Sequence, residues 1–475
     1  MNNTNRLVTP DNKGLAEYLF EKDFKEAGND NFVGAFCSAN LGDVSPNTGG
    51  PFCLEGPQKD QPCDYATSTC LNDRGIPRTQ YCHNKGPAGH NDRENSKIIG
   101  TNQYNKAKEL YASARQQITG RLQYRQMYVD MPSLYVNVSG QEVKMCRAAM
   151  GFSFAAGTCD GPGFLNFFQG DTNPDHPFWD TIVGFIKPPT EELLACQAPK
   201  PVLLPTGEAF RPHAWHPSIV DVQMFVIGDL VILIVPGEFS TMAGRRFRDA
   251  IRKVLTDGGV ISADAIVVMS GLSSTYTHYI TTFEEYQVQR YEAASTIFGP
   301  NSLSAYIQLF TDLAEAIVNN ATVPAGPTPP NLYDDLIKDR SPKLYPDVQQ
   351  DFNRFGAVKT DVQASYAKGG VVTVLFYGAN PRNDLMTGKT FLEVQQLVGG
   401  TWTVVRTDND FDTEFRWVPL HAEDAVEFIS DILITWITDA SVASGSYRIA
   451  YYGNSRDAQG VVTPHTGLSS TFTIQ

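Results

Sequence analysis

Residues 323–330 (VPAGPTPP) hold four prolines in eight positions, and the chain changes character across them. Proline fixes φ and removes a backbone donor, so such a run stays extended and enters neither a helix nor a central strand. Before it, helical spacing alternates with apolar runs. Beyond about Asp351 only short runs rich in β-branched and aromatic residues follow. The pattern predicts a mixed α/β domain over 1–330, a linker over 331–350 and an all-β domain over 351–475. In the last part, seven short runs (371–377, 390–397, 402–407, 414–418, 432–438, 447–452 and 470–474) are separated by turn residues. That spacing predicts an immunoglobulin-like β-sandwich, one without a cysteine pair.

In the first part the periodicity predicts a helix over 11–28, with Leu15, Leu19 and Phe20 inward, and a buried strand over 32–36. A second helix is expected over 95–118, with Tyr104, Ala107, Tyr111, Ala114 and Ile118 on one face. Strands 220–227 and 230–235 should form a hairpin at Gly228-Asp229, followed by a helix over 240–255. A strand over 260–270 and helices over 283–295 and 303–319 complete the domain.

The 475 residues are 42% hydrophobic, which argues against disorder. They carry 38 basic and 52 acidic side chains, a net charge of −14. An acidic chain of this kind is a poor nucleic-acid binder and is repelled by anionic lipid. The most apolar run, 224–235, is interrupted by Gly228-Asp229 and is too short for a membrane span. All eight cysteines fall between Cys37 and Cys196. Cys53, Cys63, Cys70 and Cys82 crowd a loop rich in Pro, Gly and Asp, where disulfides are the natural reading. A zinc knuckle is the rival, but the spacings lack its short cysteine pairs. Sequons at Asn2, Asn137 and Asn320 suit the same oxidising compartment. The first residues carry no signal peptide, so the expectation is a chain missing its true beginning.

Most standard catalytic motifs are absent: no G-x-S-x-G elbow, H-E-x-x-H, Walker A or dinucleotide fingerprint occurs. His213 and His216 form an isolated pair in a loop, read as structural. Three segments could carry chemistry. Ser45 follows an apolar run in a Gly/Asp/Pro/Asn loop, either a turn serine or a hydroxyl held at a cleft edge. Glu238 ends the most apolar strand pair just before a helix, either a helix N-terminal acid or a partly desolvated ligand. The segment Thr275-Tyr276-Thr277-His278-Tyr279 stacks aromatics past a buried strand, as core or as site.

Four longer stretches resemble the neutral, non-lysosomal ceramidases: 40–47 (NLGDVSPN), 151–163 (GFSFAAGTCDGPG), 236–246 (PGEFSTMAGRR) and 276–296 (YTHYITTFEEYQVQRYEAAST). The resemblance implies zinc-dependent hydrolysis of the ceramide amide to sphingosine and fatty acid in a deep apolar pocket, with a membrane surface as substrate source. By the same resemblance Ser45 is the active-site serine, Glu238 and Tyr279 are zinc ligands, and Tyr291 stabilises the tetrahedral intermediate. It implies disulfides Cys53–Cys70, Cys63–Cys82 and Cys146–Cys196, leaving Cys37 and Cys159 as free buried thiols. Asp408, Asp410 and Thr413 match a calcium site, and secretion or the outer face of the plasma membrane is the implied location. The family's two histidine zinc ligands lie N-terminal to everything here, so the expectation is a truncated, inactive ceramidase chain. A non-catalytic lumenal or cell-surface protein that binds lipid or a partner is the alternative, and a zinc hydrolase of another amide a third.

Overall fold

The computed structural model describes residues 5, 7–163, 167–172, 187–211, 213–336, 341–420 and 428–475. They form two compact units, essentially Pro10–Asn331 and Leu332–Gln475. The sequon at Asn2 lies outside the described residues.

The first unit is built on a four-stranded sheet in the order Ile266–Ser270, Leu230–Ile234, Ile219–Ile227, Leu122–Asp130. The hairpin between the two middle strands turns at Gly228, φ +55°, where a Cβ would meet Thr119 O at 2.0 Å. Leu230–Ile234 then pairs in parallel with Ile266–Ser270, through a crossover that contains the helix Thr241–Asp257. Along Ile219–Ile227 the alternate residues Val220, Val222, Met224 and Val226 are buried, the two-residue period of a strand packed on one side. Helix Thr241–Asp257 buries Phe247, Ile251 and Leu255 at four-residue spacing. Helix Ser302–Val318 buries Tyr306, Phe310, Leu313 and Ile317 into the same core. Phe239, Phe247, Tyr306 and Phe310 meet ring to ring with centroids 4.9–5.4 Å apart.

Several local expectations change. Residues 32–36 are not a strand: Gly34 and Phe36 donate their N–H groups to the Glu21 and Glu17 side chains instead. Phe32 stacks on Phe24 at 3.7 Å and Phe36 lies edge-on to Phe20, so this run packs along the side of helix Asp11–Glu26. The second helix runs Asp92–Ser113, opened by the Asn91 side chain, and Tyr111 and Ile118 are exposed. Only Ile266–Ser270 of the expected strand over 260–270 is extended, because Ser262 N–H is held by Asp229 Oδ1. The helix over 283–295 breaks into Phe283–Val288 and Tyr291–Ala294 at Gln289, which has φ +52°.

Among its described residues the second unit has ten strands rather than seven, in sheets of four and six. Each expected run is present in a strand, and Val358–Thr360, Ser365–Tyr366 and Val462–Leu468 are additional. Val372, Val374, Phe376, Ile432, Ile434 and Trp436 of the smaller sheet share one core with Leu392, Val394, Ile449, Tyr451 and Phe472 of the larger.

Disulfides Cys53–Cys70, Cys63–Cys82 and Cys146–Cys196 are formed. Cys37 and Cys159 are free, but Cys37 is exposed, a correction to the expected burial, because its segment runs over the surface rather than through a sheet.

His465 is packed on Phe355 and bonds the Tyr451 hydroxyl through Nε2 at 3.2 Å, while its Nδ1 is buried without a partner. Burial pushes the imidazole down to about 4. The unfolded chain therefore takes up this proton first as pH falls, and stability declines from about pH 6.5 toward pH 4. The decline should reach roughly 3 kcal/mol from this residue. Urea unfolding followed by tryptophan fluorescence at pH 7 and pH 4.5 should show it, and His465→Gln should flatten it.

Candidate active site

The sequence-identified residues converge where the buried hairpin ends. Glu238–Phe239 pairs in parallel with Tyr279–Ile280, and the register sets Glu238 directly beside Tyr279. Glu238 N–H donates to His278 O at 2.8 Å and Ser240 N–H to Ile280 O at 3.0 Å. Ser240, not Glu238, caps the following helix: its Oγ accepts from Ala243 N–H and donates to Glu285. Glu238 is thus a strand residue whose half-buried carboxylate projects clear of the helix's first turn.

Phenols surround that carboxylate. Tyr276 Oη donates to Glu238 Oε1 at 2.5 Å. The ring of Tyr279 lies edge-on to Tyr291 at 5.4 Å, and Tyr291 stacks on Phe154 at 6.0 Å. Burial pushes all three phenols above the ordinary tyrosine range, and the charge of Glu238 adds to the effect. They are held as neutral hydrogen-bond donors.

The helix break at Gln289 lets Tyr291 begin a new helix with its N–H free of intrahelical bonding. That N–H goes to Gln169 Oε1 at 2.6 Å, while Gln169 Nε2 donates to Ser153 O and Gly157 O. The segment that follows is pinned by Lys200, only 2% exposed, whose Nζ donates to Thr296 O at 2.6 Å and Ala149 O at 3.2 Å. Burial pushes this amine well below the usual lysine range.

The Ser45 loop is fastened to the same corner. Gly42 N–H donates to Phe239 O, and Asp43 Oδ1 accepts from both Thr241 N–H and Thr241 Oγ1. Ser45 Oγ accepts from Asn47 N–H at 3.1 Å, the bond of a turn serine, and also donates to Asp160 Oδ1 at 2.9 Å. Arg290 joins the disulfide loop to the site through Tyr65 O and Ser68 Oγ.

The Glu238 carboxylate is a donor of a kind zinc accepts, and the register sets the phenol-bearing Tyr279 beside it. Among the described residues Glu238 belongs to no group of three His, Cys, Asp or Glu ligand atoms within 4.8 Å of one another. His216 and His278 turn their Nε2 atoms toward each other at 2.9 Å, and His213 takes no part in that pair. Glu238 and Tyr279 thus fit a metal's ligand set as two oxygen donors set side by side. A cavity of about 470 Å³ beside the Cys146–Cys196 bridge is lined by none of Ser45, Glu238, Tyr279 or Tyr291. In the second unit Asp408 Oδ2 accepts from Phe391 N–H, Asp410 Oδ2 accepts from Thr407 N–H, and the Thr413 hydroxyl lies 2.8 Å from Thr407 O. Asn137 and Asn320 are both exposed.

The neutral/alkaline non-lysosomal ceramidase N-terminal family profile matches residues 1–308, and its C-terminal counterpart matches 310–474. The chain belongs to this ceramidase family. It is 44% identical over 487 residues to neutral ceramidase B of Dictyostelium discoideum, covering all of this chain and 65% of that protein. It is 43% identical over 457 residues to the neutral ceramidase of Oryza sativa subsp. japonica, covering 94% of this chain and 56% of that one. The crystal structure of neutral ceramidase from Pseudomonas aeruginosa superposes with a TM-score of 0.78 at 31% identity, over all of this chain and 67% of that chain. A structure of ceramidase complexed with C2 gives 0.79 at 32%, over 100% and 68%. The chain thus spans about two thirds or less of the length of these ceramidases.

Tyr276, Gln169, Lys200 and Asp160 were not singled out from sequence. Tyr276 and Asp160 lie within stretches that carry the resemblance, without a role assigned to them, whereas Gln169 and Lys200 reach the site only through contacts more than 90 residues away. Gln169 is the one most open to test. Gln169→Leu should leave Tyr291 N–H and two carbonyls unpartnered and lower stability by roughly 2–4 kcal/mol, measured by thermal denaturation.

Proposed function

We propose that the protein hydrolyses the amide bond of ceramide to sphingosine and a free fatty acid with zinc as cofactor. On this reading the 475 residues hold its serine, its tyrosine donors and half of its metal ligands. What carries the reading is the register that sets Glu238 beside Tyr279, with Tyr291 edge-on, in a chain whose relatives are named neutral ceramidases. Zinc, when bound, supplies Lewis-acid polarisation of the carbonyl or an activated water.

Within this proposal Glu238 and Tyr279 hold the metal. Tyr291, neutral because it is buried, donates to the carbonyl oxygen as negative charge develops there. Ser45 offers its hydroxyl as the nucleophile. The remaining two ligands are histidines in sequence this chain does not span, so the 475 residues alone turn over ceramide weakly or not at all.

Three disulfides support an oxidising compartment, hence a secreted protein or one on the outer face of the plasma membrane. Glycans at Asn137 and Asn320 suit their exposure, and a membrane surface serves as the source of ceramide. No helix among the described residues is long and apolar enough to cross a membrane. We take the second unit as an immunoglobulin-like sandwich because two largely antiparallel sheets bury one core around Trp436. At the proposed calcium site Arg406 forms an ion pair with Asp412, within the same turn as Asp408 and Asp410. Nothing in the ceramidase reading rests on a cation there.

The test compares this chain with a form extended to the length of the relatives, assayed for zinc content and ceramide turnover. The extended form should bind zinc and turn over ceramide, losing both with Glu238→Gln. Tyr291→Phe should lower kcat about 10²-fold, the scale of one lost oxyanion donor. Absence of turnover by the extended form overturns the ceramidase reading. Stoichiometric zinc and full turnover by the 475 residues alone overturn the split between them.

A further inference from the structure

One carboxylate next to Ser45 has a coordination that a structural turn does not need. Asp160 Oδ1 accepts three side-chain hydrogen bonds: from Ser45 Oγ at 2.9 Å, Asn47 Nδ2 at 2.6 Å and Asn84 Nδ2 at 2.9 Å. The two amides come from different segments. Asn47 lies in the serine loop, and Asn84 lies on the strand Cys82–Lys85, which the Cys63–Cys82 bridge ties down. The main chain at Asp160 is fixed as well: Asn84 N–H donates to Cys159 O at 2.8 Å and Asp160 N–H to Thr158 Oγ1 at 3.2 Å. Three donors converging on one oxygen fix the carboxylate as an acceptor toward the serine hydroxyl. A fixed acceptor on a serine hydroxyl is the arrangement that activates a nucleophile.

We propose that Asp160 is the general base for Ser45, an assignment that rests on the serine reading above. As Ser45 Oγ bonds to the amide carbon, its proton passes to Asp160 Oδ1 and the carbonyl π electrons move to oxygen. Collapse of that intermediate breaks the C–N bond, and Asp160 returns the proton to the departing amine. Water then attacks the acyl ester, giving one proton to Asp160, which passes it back to Ser45 Oγ as the acid leaves. The sum is amide plus water to acid plus amine. Asn47 and Asn84 are positioning residues, fixing the carboxylate rotamer. The titratable groups that line the small polar cavity beside Asp160 are His83, His90, Asp92 and Cys159.

An alkyl fluorophosphonate tests this on the 475-residue chain, because it labels an activated serine without metal or ceramide. Wild-type chain should be labelled at Ser45, and Ser45→Ala should not. Asp160→Asn should label at least about 10²-fold more slowly, the scale of a lost general base. Should Asp160→Asn fail to fold, Asn84→Ala, which keeps the carboxylate but frees its rotamer, should slow labelling about tenfold. Labelling of folded Asp160→Asn at the wild-type rate overturns the role of Asp160 and leaves the serine reading standing. Wild-type chain that is never labelled at Ser45 overturns both.

Discussion

The site depends on one short piece of parallel pairing, that of Glu238–Phe239 with Tyr279–Ile280. Parallel strands need a crossover, and here the helix Thr241–Asp257 and the strand Ile266–Ser270 supply it, so the core must form before this register exists. Gly237 permits the approach: a Cβ there would lie 2.5 Å from Ile280 Cδ1 and 2.7 Å from His278 O. His278 accepts a left-handed φ of +57° at the same place, a conformation that a packed environment has to impose. The serine loop then hangs from Phe239 O through Gly42 N–H, and Tyr279 N–H reaches Ser295 O next to the Tyr291 helix. Remove the pairing and the carboxylate, the phenols and the serine have no common frame.

The polar groups gathered there explain one another. A half-buried carboxylate requires donors, since leaving it bare costs more than the roughly 1–3 kcal/mol of a neutral group. Phenols meet that need without bringing a counter-charge, and the same burial keeps them protonated. Cations are held elsewhere: Arg290 turns toward the disulfide loop, and Lys200 is spent on backbone carbonyls. A site left this anionic is suited to a metal cation.

Much of the scaffold was legible because its periodicity is strong. The central hairpin, the helices Thr241–Asp257 and Ser302–Val318 and strands such as Val371–Gly378 and Ser430–Ile437 of the second unit bury one face at period 3.6 or 2. What failed was local competition. Residues 32–36 are apolar enough for a strand, yet Glu17 and Glu21 offer their backbone donors a nearer partner. The three additional strands of the second unit are short or edge elements, with too little burial to leave a pattern. Ser45, Glu238, Tyr279 and Tyr291 were reachable because long motifs carry them; Asp160 sits in such a motif but its partner Ser45 is 115 residues away, and Gln169 entered only through a distant contact.

The sequence by itself determined which residues could be buried, where the chain divides and which family its motifs belong to, because these follow from local pattern. It favoured a turn serine over a site serine at Ser45 and left Glu238 between helix acid and ligand. Only the tertiary structure decided which groups each of them meets. Ser240 takes the cap and leaves Glu238 to Tyr276 and Tyr279. Asp160 arrives from 115 residues away to take the Ser45 hydroxyl. A hydrogen bond is fixed by which groups packing brings within about 3 Å, and no linear pattern encodes that proximity.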